Sequence, residues 1–255
     1  MQTTAHPSAE STYLAEARDA LRETLGGSLI GVYAGGSWAL GDYLPGRSDL
    51  DVAAVVRSPL SRELGREVAR ALRHEALPCP ARSLELVIYR LDTARSGSAA
   101  SEFELNLNTG RGTPLLVQSK SDPGDVGSHW FAIDRSILSQ AGIALLGPPA
   151  GEVFAPTAIA KLVPTLAESV RWHREHRPGT SDAVLNACRS LLFVQEGRWS
   201  SKPRAGRWAV EHELAPADLV AQALTARTEG DALEATELAT FLDAVEPHLH
   251  RHLGN

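Results

Sequence analysis

The apolar residues of the chain recur with two different periods. A period of two predicts strands in the first half, and a period near 3.6 predicts helices in both halves. The predicted strands are 29–35, 49–57 and 83–90, with a further one at 114–117, and the predicted helices of the first half are 8–25, 61–77 and 129–145. From Pro156 onward every predicted element is helical: 157–176, 181–196, 205–213, 216–228 and 231–253.

The run Gly147-Pro148-Pro149 marks the end of the mixed half. Glycine can cap a helix, and proline cannot continue one. A chain of 255 residues also fits two modest domains, each able to bury its own core. We therefore predict an α+β fold, with a mixed sheet flanked by helices in residues 1–150 and an all-α bundle in residues 151–255.

Two acidic residues, Asp49 and Asp51, lie one position apart at the start of an apolar strand. Residues at i and i+2 of a strand point the same way, so both carboxylates share one face and one end of the sheet. Two anions held this close repel each other unless a cation neutralises them, and hard oxygen ligands suit Mg²⁺. For an isolated pair, a solvated strand end or a turn is the alternative.

The segment just upstream, Gly35-Gly36-Ser37, is a glycine turn between a strand and a short helix. Glycines let the backbone approach a ligand closely, and the N–H groups at a helix start attract phosphate. Downstream, Glu85 is an acid inside an otherwise apolar strand, where burial is unfavourable without a partner. It is either an exposed residue of an edge strand or a third member of the acidic site.

Composition limits the partners. The formal net charge is −6 and no basic face stands out, which argues against nucleic acid and favours a cationic small molecule. Cys79 and Cys188 are too far apart in sequence to suggest a disulfide framework or a metal knuckle. No signal segment and no long apolar run is found, so we expect a cytoplasmic protein with no membrane contact. We also expect a monomer.

The order of these parts resembles the bacterial aminoglycoside 3''-adenylyltransferases, the streptomycin and spectinomycin resistance enzymes of the polymerase-β-like nucleotidyltransferase superfamily. The pattern Gly-Gly-Ser, spacer, Asp-hydrophobe-Asp is the superfamily's part of this resemblance. The family's part spans roughly residues 20–245. It comprises 36–51, Leu84-Glu85-Leu86-Val87, 144–148, 152–156, 184–189, Ser201-Lys202-Pro203 and 208–211.

The resemblance implies Mg²⁺-dependent transfer of AMP from ATP to a hydroxyl of an aminoglycoside or aminocyclitol, with release of pyrophosphate. It assigns Asp49 and Asp51 to two Mg²⁺ ions, and Glu85 both to the catalytic base and to the metal site. Gly36, Ser37 and Ser48 are expected near the triphosphate. Arg189 and Lys202, from a helical domain that closes the cleft, are expected on the ATP phosphates.

The same resemblance places the acceptor near the start of the helical domain, where Trp172, Glu175 and Asp182 are the candidates. Trp172 can present its ring to a sugar, and the two acids can bind a guanidinium or an ammonium group. Capping and dipole compensation explain Asp182 equally well. Two other functions stay open: a transferase of the same fold with another small-molecule or protein acceptor, and a non-catalytic nucleotide-binding partner of the toxin–antitoxin kind.

Overall fold

A six-stranded mixed sheet forms the centre of the N-terminal half in the computed structural model, which describes residues 8–120, 129–230 and 232–251. The strands lie in the order β5-β4-β3-β2-β1-β6. Only β2 and β3 run parallel within this sheet, and the other neighbours are antiparallel. The strands are β1 Leu29–Ala34, β2 Leu50–Val56, β3 Leu84–Arg90, β4 Leu105–Gly110, β5 Thr113–Ser119 and β6 Ile143–Leu146.

Helices cover both faces of this sheet, because strand alternation places apolar side chains on both sides. One face packs against α1 (Ala9–Leu25) and α3 (Arg62–Leu72). The other packs against α4 (Leu91–Arg95), α5 (His129–Ala141) and α6 (Ala150–Val153). A short α2 (Gly36–Ala39) follows β1 directly. Ala53 and Val87 lie on the α5 face, so Asp51 and Glu85, two residues earlier on their strands, start from that same face.

The C-terminal half of the described chain is helical. It contains α7 (Ile159–His176), α8 (Ser181–Glu196), α9 (Lys202–Glu211), α10 (Ala217–Glu229) and α11 (Ala235–Arg251). Their inward stripes form one core that includes Leu166, Leu185, Phe193 and Leu242. Thr180 caps α8 by accepting a hydrogen bond from the Ala183 amide at 3.3 Å, and Gly197 ends it in the left-handed conformation.

The mixed sheet and the helical second half confirm the predicted α+β fold. The helix predicted at 129–145 is wrong at its end, because α5 stops at Ala141 and the apolar run 143–146 forms β6. This run pairs antiparallel with β1, which would otherwise be an open edge. Strand β4 was not predicted. The helix predicted at 231–253 begins at Ala235, and residue 231 lies outside the described residues.

The domain boundary at residue 150 stays a prediction. Val153 and Phe154, just beyond it, pack in the core on the α5 face of the sheet. Within the described ranges, no helix combines the length and the apolar character needed to cross a bilayer.

Candidate active site

Two carboxylates face each other across the parallel strands. The register pairs Asp51 of β2 with Glu85 of β3, so the two side chains leave the same face of the sheet side by side. Neither carboxylate has a hydrogen bond or an ion pair within the described part of the chain. Burial and the charge of Asp49 raise the pKa of Asp51 to about 6. Burial, followed by the charges of Asp51 and Asp49, raises the pKa of Glu85 well above its ordinary value.

The third predicted acid, Asp49, is engaged by cationic and hydroxyl donors. Nε of Arg82 donates to Oδ1 of Asp49 at 2.8 Å, and the other guanidinium branch forms an ion pair with Oδ2. The Ser83 hydroxyl also donates to Oδ1. These contacts compensate the negative charge of Asp49 next to the acidic pair. The sequence pattern did not predict them.

The glycine turn is fastened to the acidic strand. The Gly35 amide donates to the Asp51 carbonyl at 2.8 Å, which brings the turn against β2. Gly36 has φ +50°, and a Cβ at this position would overlap the Asp51 carboxylate. Ser37 follows within α2. Ser48 lies farther along the same loop, where its hydroxyl accepts the Leu44 amide at 3.0 Å and closes the turn before β2.

A fourth acid joins the group from α5. Burial, and next the charge of Asp51, raise the pKa of Asp134 to about 7. Its neighbours Ala132, Arg135 and Ser136 are buried, so α5 brings Asp134 to the sheet on a largely enclosed helix. Sequence reasoning missed this residue, although an acid within a run of mostly apolar helix positions was an available signal.

Two cations of the helical half lie within electrostatic reach of these acids. Arg189 and Lys202 both act to lower the pKa of Asp51 against the effects of burial and Asp49. Burial lowers the pKa of Arg189 itself, and its Nε and Nη2 atoms have no hydrogen-bond partner in the described chain. Nζ of Lys202 contacts Oδ1 of Asp182 at 2.6 Å. The predicted phosphate-binding cations thus face the predicted acids.

A buried ion pair joins the two halves beside Lys202. The Lys202 amide donates to Oδ2 of Asp42 at 2.9 Å, and Nη2 of Arg227 lies 3.2 Å from the same oxygen. The Asp42 and Arg227 side chains are only 7% and 11% exposed. Asp42 lies inside the motif 36–51, but nothing in the sequence indicated its partner on α10.

The three predicted acceptor residues have separate surroundings, and no contact joins them in the described chain. Trp172 stacks on His176 with ring centroids 5.1 Å apart, and Glu175 is exposed. Burial alone would raise the pKa of Asp182, but Lys202, Arg82 and His173 outweigh it and lower the value. Since Thr180 caps α8, Asp182 is not its cap. The acceptor role of all three stays a prediction.

A divalent cation requires several hard oxygen ligands close together. Among the described residues, no group of three or more His, Cys, Asp or Glu side chains is close enough to hold a metal ion. Within the predicted trio, Asp49 is already bound by Arg82 and Ser83. Asp51 and Glu85 still fit one, because they are adjacent hard-oxygen donors with raised pKa values and no cation in contact.

The chain matches two known domain families in the order that its two halves suggest. Residues 14–103 match the nucleotidyltransferase domain, and residues 152–251 match the C-terminal domain of aminoglycoside adenylyltransferases. No curated protein sequence matches the chain significantly.

Among solved structures, the chain is similar to the spectinomycin adenyltransferase AAD(9) from Enterococcus faecialis, crystallised with ATP and spectinomycin. The two chains superimpose with a TM-score of 0.69 at 16% identity, over 94% of this chain and 99% of the other. At this identity the likeness establishes a shared fold. The domain matches identify the chain as a protein with a nucleotidyltransferase domain followed by the C-terminal domain of aminoglycoside adenylyltransferases.

Proposed function

We propose that the protein transfers AMP from ATP to a hydroxyl group of an aminoglycoside or aminocyclitol antibiotic, with Mg²⁺, and releases pyrophosphate. The observation that carries this proposal is the half-buried pair Asp51 and Glu85, placed beside the Gly36 turn and within electrostatic reach of Arg189 and Lys202. Opposed acids and cations around one cleft suit a reaction that moves a phosphoryl-type group while charge develops on its oxygens.

Each side of the cleft has a distinct task in this reaction. Glu85 takes the proton from the acceptor hydroxyl. As that oxygen bonds to the α-phosphorus, the bond to the leaving pyrophosphate breaks. Arg189 and Lys202 bind the phosphate oxygens, and the two unpartnered guanidinium nitrogens of Arg189 supply donors for them. Because Gly36 has no side chain, the nucleotide can approach Asp51 at this turn. Ser37 and Ser48 lie on the surrounding loop.

Asp51 and Glu85 are the residues that would hold Mg²⁺, and Asp49 would join them once Arg82 and Ser83 release its oxygens. In two-metal sites the ions stabilise the attacking and leaving oxygens of such a displacement. The residues of the chain fix the orientation of the reactants, because the strand register and the glycine turn set where the carboxylates can lie.

A direct experiment tests the proposal. The protein is incubated with ATP, Mg²⁺ and either spectinomycin or streptomycin, and mass spectrometry looks for an acceptor that carries one added AMP. We expect such a product with at least one antibiotic of this class, and none when EDTA replaces Mg²⁺. If ATP is consumed but neither antibiotic gains an added AMP, the assigned acceptor class is wrong.

One observation favours a second candidate, a transferase of the same fold with another acceptor. Lys202 forms an ion pair with Asp182, and Glu175 is exposed without a partner in the described chain, so the two expected acceptor acids are not arranged as a pair. A panel of amine-bearing and neutral hydroxyl compounds, assayed with radiolabelled ATP, separates this candidate from the first. Label transferred only to a compound outside the aminoglycosides and aminocyclitols would favour it.

A further inference from the structure

Trp199 faces the guanidinium of Arg189, whose Nε and Nη2 atoms have no hydrogen-bond partner among the described residues. The guanidinium carbon of Arg189 lies 5.5 Å from the centre of the Trp199 ring. The other described contact of this guanidinium is a long hydrogen bond, 3.4 Å from Nη1 to Oδ1 of Asn186. A cation over an indole face is attracted by the ring's negative potential, and tryptophan is the most effective side chain for this.

Trp199 is itself held by both halves of the molecule. Its indole Nε1 donates to the Ser136 hydroxyl at 2.9 Å, and its backbone amide donates to Oε1 of Gln140 at 2.9 Å. Both partners belong to α5. Gln140 in turn donates to the Gly197 carbonyl at 2.8 Å, and the Trp199 ring stacks on Phe193 of α8 with centroids 4.3 Å apart.

This arrangement has a consequence for the cation. A long arginine side chain adopts many rotamers, and fixing it before binding removes an entropic penalty from the binding step. A ring that is anchored to α5 on one side and to α8 on the other restricts Arg189 without using its N–H donors. Nε and Nη2 therefore stay available for an anionic ligand.

We propose that Trp199 is a positioning residue that orients Arg189 toward the phosphates of ATP and links this orientation to the docking of α5 against the helical half. The inference rests on the proposed function in one respect, namely that Arg189 binds ATP phosphates. It assigns Trp199 no contact with the reacting atoms. It also gives the α5 residues Ser136 and Gln140 a role in nucleotide affinity, although neither belongs to the acidic site.

The test is a double-mutant cycle on ATP affinity, measured by calorimetric titration of the full chain with Mg²⁺ present. Trp199→Leu is expected to weaken ATP binding about tenfold, and Trp199→Phe, which keeps an aromatic face, to recover most of that loss. In an Arg189→Met background, Trp199→Leu should have little further effect, because the two residues act as a unit.

A purely structural role predicts a different result. Equal losses from Trp199→Leu in both backgrounds, or no loss in either, would overturn the inference, and so would an ATP affinity that does not depend on Arg189. If Trp199→Leu does not fold, Ser136→Ala replaces it, since it removes only the indole hydrogen bond. Its expected weakening of about threefold must also vanish in the Arg189→Met background.

The proposed function and this inference can fail separately. Absence of AMP transfer to every acceptor, with ATP binding that still depends on Trp199 through Arg189, would remove the proposed reaction and leave the positioning role intact. Normal AMP transfer, with additive losses of ATP affinity in the double-mutant cycle, would remove the positioning role and leave the proposed reaction intact.

Discussion

The residues of the candidate active site are positioned by different kinds of contact in the sheet half and in the helical half. Asp51 and Glu85 are placed by backbone pairing between adjacent strands, with in-register partners along the whole of β2 and β3. Arg189 and Lys202 are placed by side chains that meet across the two halves, through Trp199, Asp42 and Arg227. Rigid backbone therefore sets the acids, whereas the position of the cations depends on domain docking.

This difference suggests a division of work. A base and a metal site must be positioned to within a fraction of an ångström, and strands provide that precision. Cations that recognise phosphates tolerate more movement, and cations held across a domain contact can couple nucleotide binding to closure of the cleft. The following substitutions test the two halves against each other, from the largest expected effect to the smallest.

Glu85→Gln should have the greatest effect on the reaction. The amide cannot accept a proton, so we expect the rate of AMP transfer to fall by about 10²- to 10⁴-fold with ATP affinity retained. The measurement is pyrophosphate release at saturating ATP. The control is Glu104→Gln, because Glu104 is a buried acid that does not belong to the acidic pair. Its carboxylate accepts a hydrogen bond from the Leu60 amide at 2.9 Å, and the side-chain oxygen of glutamine can still accept this bond. Full activity in Glu85→Gln contradicts the assignment.

Gly36→Ala tests how tightly the turn packs against the acids. The new methyl group would overlap the Asp51 carboxylate, so the turn or the carboxylate must move, and a misplacement of about 1 Å is enough for a 10²-fold loss of activity. Gly41→Ala is the matched control, since Gly41 also has positive φ but no atom lies within 4 Å of its Cβ position. An equal loss of activity in the two variants would show that the loss comes from the backbone conformation and not from the contact with Asp51.

Arg227→Met tests the helical half and its docking. It leaves the 7% exposed Asp42 carboxylate without its guanidinium partner, and we expect the free energy of unfolding to fall by about 3 kcal/mol. Arg174→Met removes an ion pair with Asp243 in which both side chains are largely exposed, so the expected change is below about 1 kcal/mol. Urea denaturation measures both. Similar values for the two variants would mean that the Asp42 contact is not a significant anchor.

The acids should also make stability depend on pH. The pKa of Asp51 is raised from 3.8 to about 6, so the folded state binds more protons than the unfolded state between these values. The free energy of unfolding therefore falls as pH rises from about 4 to about 7.

Asp51→Asn removes this penalty and should stabilise the metal-free protein by about 1–3 kcal/mol at neutral pH, with little change near pH 4. Denaturant midpoints at the two pH values measure the effect, and Asp243→Asn on the surface is the control. A variant that is less stable than the parent at neutral pH would show that Asp51 is satisfied in the folded state by a partner.

The two halves also differ in how far the sequence predicts them. The alternation rule placed Asp49 and Asp51 on one face, because a strand fixes side-chain direction by residue number alone. The position of Glu85 beside Asp51 follows from the register of β2 and β3, which alternation within one strand does not give. The contacts of Arg82 with Asp49, and of Asp42 with Arg227, depend on how separate elements pack, which no local period encodes. Asp134 was missed for the same reason, since helical spacing shows that a residue is enclosed but not which strand it meets.

The misread end of α5 has a related cause. Ile143-Ala144-Leu145-Leu146 is short and apolar, and such a run fits a helix end and a strand equally well. Pairing with β1 decides in favour of the strand, and that partner lies more than a hundred residues earlier in the chain.

The most direct test of the division of work is a kinetic comparison of Glu85→Gln with Lys202→Met in one assay of antibiotic-dependent pyrophosphate release. We predict that Glu85→Gln lowers kcat and leaves KM for ATP near its original value, whereas Lys202→Met raises KM for ATP by about tenfold and changes kcat far less. An unchanged kcat in Glu85→Gln, or a loss of kcat in Lys202→Met without a rise in KM, would contradict the account.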